Sequence, residues 1–337
     1  MARKSNKAVG TPGVALIGFG YWGRNLARNL HQLGALRIVC DTRRKALQEA
    51  GSAYPGVVTA GRVAGVLANP EVAAVAIAAP AVEHYRLTRQ ALLAGKDVFV
   101  EKPLSLELAQ ANELVTLARE RRRVLMVGHL LEYHPAIRKL KELVDAGELG
   151  DIHHIYSNRL NLGKVRREEN ILWSFAPHDV SVILLLLGRM PKTAVTTGQH
   201  YLQHQIADVT MTWLAFPGRT RAHIFVSWLH PYKEQRLVVV GSRRMAVFDD
   251  VATEGKLKLY DQGIVWKQGS APVIRRTAEA TLFFAEGEPL REELAHFLDC
   301  VRTRRTPQTD GRNGLRVLRV LDACQKSLAA GGRPVRV

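Results

Sequence analysis

The sequence predicts an α/β protein of two domains: a doubly wound parallel sheet at the N-terminus, followed by an α/β domain with a mostly antiparallel sheet. Three observations carry this. From Val14 to about Gly128 short apolar runs alternate with helical periodicity, a glycine-rich turn follows the first run directly, and beyond Gly128 the texture changes to alternating stretches on short turns. A chain of 337 residues exceeds the usual size of one core, so domains over 1–128 and 129–337 are expected.

The first strand is Val14-Ile17, and Leu36-Cys40, Ala73-Ala78, Asp97-Val100 and Val124-Val127 follow. Apart from Arg37 in the second and Asp97 opening the fourth, they are apolar at consecutive positions, as a strand buried on both faces must be. Between them Trp22, Leu26, Leu30 and Leu33, then Leu106, Ala109, Leu114 and Leu117, recur at helical spacing. After Gly128 a helix is expected from Pro135 to about Ala146, stopped by Gly147, and then a long strand over Ile152-Leu160. An apolar helix covers Val180-Leu187. Alternating strands Val209-Phe216 and Arg221-Leu229 meet at Pro217-Gly218, while Leu237-Val240 and Ala246-Phe248 flank the turn Gly241-Arg244. Two helices, about Arg291-Val301 and Gly314-Leu328, end the chain.

A hydrophobic share of 47% and a charged share of 23% suit a globular protein. No apolar run is long enough for a bilayer and Met1-Lys7 lacks the apolar region of a secretory signal, so the expectation is a cytoplasmic protein with no membrane association. Cys40, Cys300 and Cys324 have neither metal-like nor redox-like spacing; reduced thiols and no metal site are expected. The net charge of +17 suggests nucleic acid first. Its basic residues are spread out, however, and the dense clusters Arg121-Arg123 and Arg302-Arg305 have no interleaved aromatics, which favours a generally basic surface attractive to small anions over a nucleic-acid partner.

Gly18-Phe19-Gly20-Tyr21-Trp22-Gly23 sits between the first strand and the first helix. Gly18 permits the tight turn, Gly20 lets backbone N–H groups approach a pyrophosphate, and Gly23 allows close helix–strand packing. Asp41 ends the second strand about twenty residues on, where an acid accepts ribose hydroxyls and repels a 2′-phosphate; this favours NAD over NADP. Arg43 weighs the other way, since an arginine there suits adenine stacking or a phosphate.

Ala79-Pro80 and His84 follow another strand end and are expected along the cofactor. Glu101-Lys102-Pro103 closes Val98-Phe99-Val100 on the same sheet edge. A lysine there has the chemistry to bind a hydroxyl, stabilise a forming alkoxide or relay a proton; a surface lysine is the plain alternative. His178, in Trp173-Asp179, has the chemistry of a general base.

Together Gly18–Gly23, Asp41, Glu101-Lys102-Pro103 and His178-Asp179 resemble the Gfo/Idh/MocA oxidoreductase family over nearly the whole chain. The resemblance implies an N-terminal Rossmann domain, a C-terminal domain whose large open sheet forms a homodimer or homotetramer, a nicotinamide cofactor, and sugars, polyols or sugar nucleotides as substrates. It makes Lys102 the catalytic lysine, Pro103 the residue shaping its turn, and His178 its proton-handling companion. Many members carry an aspartate four residues before this histidine; here Ser174 stands there and supplies no charge. Asp179 is expected to orient substrate or protein groups.

The stretch from Ser157 to Arg167, with Arg159, Asn161, Lys164 and Arg166, is basic and amide-rich, and Asn170 and Trp173 come next. Such residues suit phosphate oxygens, sugar hydroxyls or an acetamido group, and an apolar sugar face. The stretch is similar to a branch of the family that includes UDP-N-acetylglucosamine 3-dehydrogenases. The implied reaction is NAD-dependent oxidation of the C3 hydroxyl of a UDP-linked N-acetylamino sugar, or its uronate, to the ketone. A dehydrogenase of a free sugar, inositol or other polyol is the alternative among enzymes, and a dinucleotide-binding regulator the alternative outside them.

Overall fold

A computed structural model describes residues 10–163, 165–266, 269, 271–275 and 277–337. It divides into two compact units: the chain up to Gly128 together with Glu288–Leu315, and His129–Gly287 together with Arg316–Val337. The sequence reading kept 288–315 with the second domain. An amphipathic helix carries no mark of which sheet its apolar stripe will cover, and here Pro289–Thr303 folds onto the first unit.

In the first unit the chain runs β1 (Val14–Ile17), α1 (Tyr21–Gln32), β2 (Leu36–Cys40), α2 (Arg44–Ala53), β3 (Val58–Ala60), α3 (Val63–Ala68), β4 (Ala74–Ile77), α4 (Ala81–Leu93), β5 (Asp97–Glu101), α5 (Leu108–Glu120) and β6 (Leu125–Gly128). All pairings in its six-stranded sheet are parallel, in the order β3-β2-β1-β4-β5-β6. This is the doubly wound Rossmann arrangement. Every residue of β1, β4 and β6 is buried, so these strands read as unbroken apolar runs. By contrast β3, a partly exposed three-residue edge strand, has too little apolar sequence to announce itself.

The helix Pro289–Thr303 places Phe297 against Phe99 of β5, ring centroids 5.8 Å apart. It ends at Arg304, whose guanidinium donates to both carboxylate oxygens of buried Asp97 (Nη1–Oδ2 2.6 Å, Nη2–Oδ1 2.9 Å). Asp97 also accepts the Val124 N–H at 2.8 Å. Arg302 and Arg305 both pair with Asp299. Three arginines of one dense basic cluster thus have carboxylate partners within the unit.

The second unit opens with a 3-10 turn, Leu130–Tyr133, then α6 (Pro135–Asp145), β7 (Ile152–Leu160), α7 (Ile171–Leu187), β8 (Thr193–Gln199), β9 (Val209–Ala215), β10 (Arg221–Ser227), β11 (Glu234–Gly241), β12 (Met245–Asp249), β13 (Leu257–Tyr260), β14 (Gly263–Val265), β15 (Val273–Arg275) and β16 (Glu279–Thr281). In chain order Pro289–Thr303 is then α8, and α9 (Gly311–Ala329) starts in the first unit and passes into the second before β17 (Val335–Arg336). The nine-stranded sheet runs β16-β13-β12-β11-β7-β10-β9-β8-β17. It is antiparallel except at its centre, where β10 lies parallel to β7. The chain leaves β7 through α7, re-enters at β8 and works back through β9, so β10 arrives pointing the same way as β7.

One face of this sheet is covered by α6, α7 and part of α9 in a single apolar cluster that includes Leu172, Ile183, Ile224, Val226, Val239 and Leu321. The opposite face shows Tyr156 stacked on His223 (centroids 5.3 Å apart) and Trp213, 48% exposed, at 4.8 Å from the same histidine. No helix among the described residues is long and apolar enough to cross a membrane.

Candidate active site

In the first unit the glycine turn, Asp41, Arg43, Ala79, Pro80, His84 and Glu101-Lys102-Pro103 all follow the carboxyl ends of β1, β2, β4 and β5, neighbouring strands of one parallel sheet. Ligands of open α/β sheets bind beyond this edge.

Two glycines of the turn are required by the chain itself. Gly18 has φ +97°, and a Cβ there would lie 2.7 Å from the Ala78 carbonyl oxygen; a Cβ on Gly23 would lie 2.1 Å from the Gly18 oxygen. Gly20 differs, since a Cβ on it would meet nothing within 4 Å. Gly20 is also the N-cap of α1 and brings no side-chain cap, so backbone N–H groups of the first turn stay available. Open space before uncapped N–H groups fits a pyrophosphate. Phe19 is buried, Tyr21 is 86% exposed, and Trp22 reaches back to Glu101.

Buried Asp41 receives the Phe19 N–H on Oδ2 at 2.7 Å and the Arg43 N–H on Oδ1 at 2.9 Å. The Arg43 side chain closes on the same carboxylate, Nε to Oδ1 at 3.0 Å and Nη2 to Oδ2 at 2.9 Å. Burial pushes the carboxyl up, but the Arg43 side chain, the two backbone N–H groups and the Arg43 charge outweigh it and hold the group at about 2.

Ala79 is half-buried and Pro80 is the N-cap of α4. His84, 1% exposed, places Nδ1 2.6 Å from the Pro103 carbonyl oxygen and Nε2 2.9 Å from the Ala79 carbonyl oxygen, so it ties the two strand-end loops together. These contacts brace the two loops that the sequence expects along the cofactor. Lys102 is half-buried just past β5, and the Lys102–Pro103 peptide is cis. Glu101 accepts the Trp22 indole N–H at 2.5 Å. Burial pushes its carboxyl up to about 7, against the Trp22 hydrogen bond, the Lys102 charge and the Lys102 backbone N–H. Gly128, which pairs with Glu101 across β5 and β6, was read from sequence only as a domain end; a Cβ there would stand 3.0 Å from Glu101 Oε2.

In the second unit α7 begins at Ile171, nine residues before the apolar stretch that predicted it. The Asn170 side chain caps it by accepting the Trp173 N–H at 3.3 Å, and Pro177 stands inside the helix, where it lacks the N–H that would meet the Trp173 carbonyl. That proline and the polar residues around it hid the first half from a reading of periodicity. Ser174 and His178 are one turn apart on α7, Ser174 buried and His178 half-buried.

Several residues expected to meet substrate have hydrogen-bond partners within this unit. Arg159 forms a buried bidentate pair with Asp179 (Nε–Oδ2 2.9 Å, Nη2–Oδ1 3.1 Å), and Ser157 Oγ donates to Asp179 Oδ1 at 2.6 Å. Asp179 therefore orients protein groups. The Asn170 amide and the Trp173 indole N–H both donate to Gln325 Oε1 at 2.9 Å. No sequence signal marks Gln325, more than 150 residues away along the chain. Asn161 is half-buried; Arg166 is exposed and paired with Glu169 at 3.1 Å; Lys164 lies outside the described residues.

Two family models match the chain: the oxidoreductase family with an NAD-binding Rossmann fold over residues 13–129, and the GFO/IDH/MocA C-terminal domain over residues 137–247. The UDP-N-acetylglucosamine 3-dehydrogenase of Acidithiobacillus ferrooxidans is 28% identical over 311 residues, 90% of this chain and 93% of that protein. Its solved structure aligns with a TM-score of 0.83 at 26% identity, covering 94% of this chain and 97% of that one. A solved oxidoreductase from Magnetospirillum magnetotacticum is 32% identical with a TM-score of 0.80, covering 94% of this chain and all of the other (100%). The myo-inositol 2-dehydrogenase of Thermotoga maritima is 26% identical over 331 residues, 94% of this chain and 96% of that protein. The fold, the NAD-binding first unit and likeness across almost the full length agree, and the chain belongs to the Gfo/Idh/MocA family of oxidoreductases.

Proposed function

We propose that this oxidoreductase oxidises the C3 hydroxyl of a UDP-linked N-acetylamino sugar, UDP-N-acetylglucosamine or its uronate, to the 3-keto sugar. The observation that carries the substrate is the likeness, over 90% of the chain, to an enzyme named for that reaction. Bound NAD supplies the hydride acceptor. The chain's own residues then have two tasks: to hold the substrate hydroxyl and to manage its proton.

Lys102 is the group we assign to the hydroxyl oxygen, its ammonium stabilising negative charge as the O–H proton leaves. His178 is assigned the proton, on its imidazole. Glu101 sets the charge beside Lys102, and His84 braces the loop that carries Lys102 through the Pro103 carbonyl. With Arg159 and Asp179 paired to each other, Asn161, Arg166 and Lys164 are the candidates for sugar and phosphate contacts. A second reading, a polyol dehydrogenase, is supported by the likeness to the myo-inositol enzyme.

Self-association as a homodimer or homotetramer through the sheet face that carries Tyr156, His223 and Trp213 belongs to the same proposal; the exposure of Trp213 within that aromatic group supports it. The test of substrate is an NADH-absorbance panel containing UDP-N-acetylglucosamine, its uronate, free N-acetylglucosamine and myo-inositol. Turnover of the UDP sugars above the free ones is expected; turnover of myo-inositol alone moves the assignment to the polyol reading, and dinucleotide binding without turnover of any substrate moves it to a regulator.

A further inference from the structure

Asp41 is the residue that should greet the adenosine ribose, yet its carboxylate is already full. Two carboxylate oxygens offer about four acceptor directions. Here Oδ1 takes the Arg43 backbone N–H and Arg43 Nε, and Oδ2 takes the Phe19 N–H and Arg43 Nη2. A ribose hydroxyl arriving as a donor finds no free direction while the guanidinium is in place.

The four donors are not equivalent. Those from Phe19 and Arg43 N belong to the backbone of the glycine turn and of the β2–α2 loop, and they stay with the fold. The other two ride on a side chain that is 61% exposed, against 6% for Asp41. Rotation of that side chain frees one acceptor direction on each oxygen and uncovers a full negative charge, which suits ribose hydroxyls. Left in place, the guanidinium cancels the charge that would repel a 2′-phosphate, and its remaining N–H groups are donors of the geometry that phosphate oxygens accept.

We propose that Arg43 sets dinucleotide selectivity by closing on or releasing Asp41, so that this site takes both NAD and NADP. The inference rests on the NAD-binding Rossmann unit and not on the sugar substrate. In one position the arginine serves the phosphate; in the other it lets Asp41 serve the hydroxyls. An aspartate at the end of β2 therefore does not by itself exclude NADP in this chain.

The test is dinucleotide affinity without any substrate, read by quenching of protein fluorescence with NADH and with NADPH, for the wild type, Arg43→Ala and Asp41→Ala. The wild type should bind the two within about tenfold of each other. Arg43→Ala should shift the ratio at least tenfold toward NADH, by weakening NADPH while NADH is kept or tightened. Asp41→Ala should shift it the other way. Thermal unfolding of each variant accompanies the titrations, and Arg43→Gln, which keeps the length without the charge, should follow Arg43→Ala. A wild type that separates the dinucleotides by more than tenfold, or a smaller shift in Arg43→Ala, overturns the proposal. Binding of neither dinucleotide sinks this inference and the cofactor assignment together. The shift without turnover of any UDP sugar leaves this inference standing and sinks only the substrate assignment.

Discussion

The Trp22 indole Nε1 donates to Glu101 Oε1 at 2.5 Å, tying the first turn of α1 to the residue before Lys102. It makes the glycine turn and the lysine-bearing strand end one assembly. Glu101 has a folded-state value of about 7, above its ordinary 4.5, because burial disfavours the carboxylate more than its partners favour it. At this carboxyl the folded protein therefore holds more protons than the unfolded chain between about pH 4.5 and 7, and its contribution to stability falls as pH rises through that window. The burial that lowers His134, His154 and His223 acts in the opposite sense. Measured from pH 4 to 8, the unfolding midpoint of the wild type relative to that of Glu101→Gln should fall through this window. Trp22→Phe removes a donor that favours the charged form, so the window should extend upward; midpoints in Glu101→Gln that vary with pH as in the wild type would remove Glu101 as the cause.

Loss of the Lys102 side chain should act on chemistry rather than on cofactor binding. Lys102→Ala is expected to lower kcat by about 10²–10⁴-fold, the usual worth of a placed acid–base group, with NADH affinity nearly unchanged. His178→Asn should lower kcat and alter the pH–rate profile with a smaller effect on KM. A full-rate Lys102→Ala would end the assignment, and an unaltered pH profile in His178→Asn would end that of the histidine.

A third expectation concerns α8. Phe297 is fully buried against Phe99, so Phe297→Ala should destabilise the first unit by about 3–5 kcal/mol. Amide exchange should rise first in β5 and its neighbours. Faster exchange confined to the nine-stranded sheet would contradict the placement of α8.

Trp213→Glu puts a charge into the aromatic face of the nine-stranded sheet. If that face joins copies of the chain, sedimentation should show a smaller species than the wild type, with little change in the unfolding midpoint. An unchanged sedimentation coefficient would point to another interface.

Legibility of these features in the sequence followed the physics of each. Strands β1, β4 and β6 declared themselves because burial on both faces demands consecutive apolar residues, and β2 and β5 did so through the apolar runs Ile38–Cys40 and Val98–Val100. The same rule hid β3, and β8, with the polar sequence Thr193–Gln199, was missed for the same want of apolar residues. At the candidate site the types of Gly18 and Gly23 were legible because short-range geometry dictates them, whereas spacing left Lys102 open to being a surface lysine and its proposed role came from the family resemblance. Pairings such as Arg159–Asp179, Trp173–Gln325 and Arg304–Asp97 were not, since they join residues that only the tertiary fold brings together. Two of them engage arginines with buried carboxylates, Arg159 with Asp179 and Arg304 with Asp97.

The most direct test of the account is the product formed from UDP-N-acetylglucosamine and NAD. It predicts NADH in step with a sugar nucleotide whose new carbonyl, located by NMR, is at C3, and loss of both signals in Lys102→Ala. A carbonyl at another carbon, or NADH from myo-inositol with none from the UDP sugar or its uronate, would contradict it.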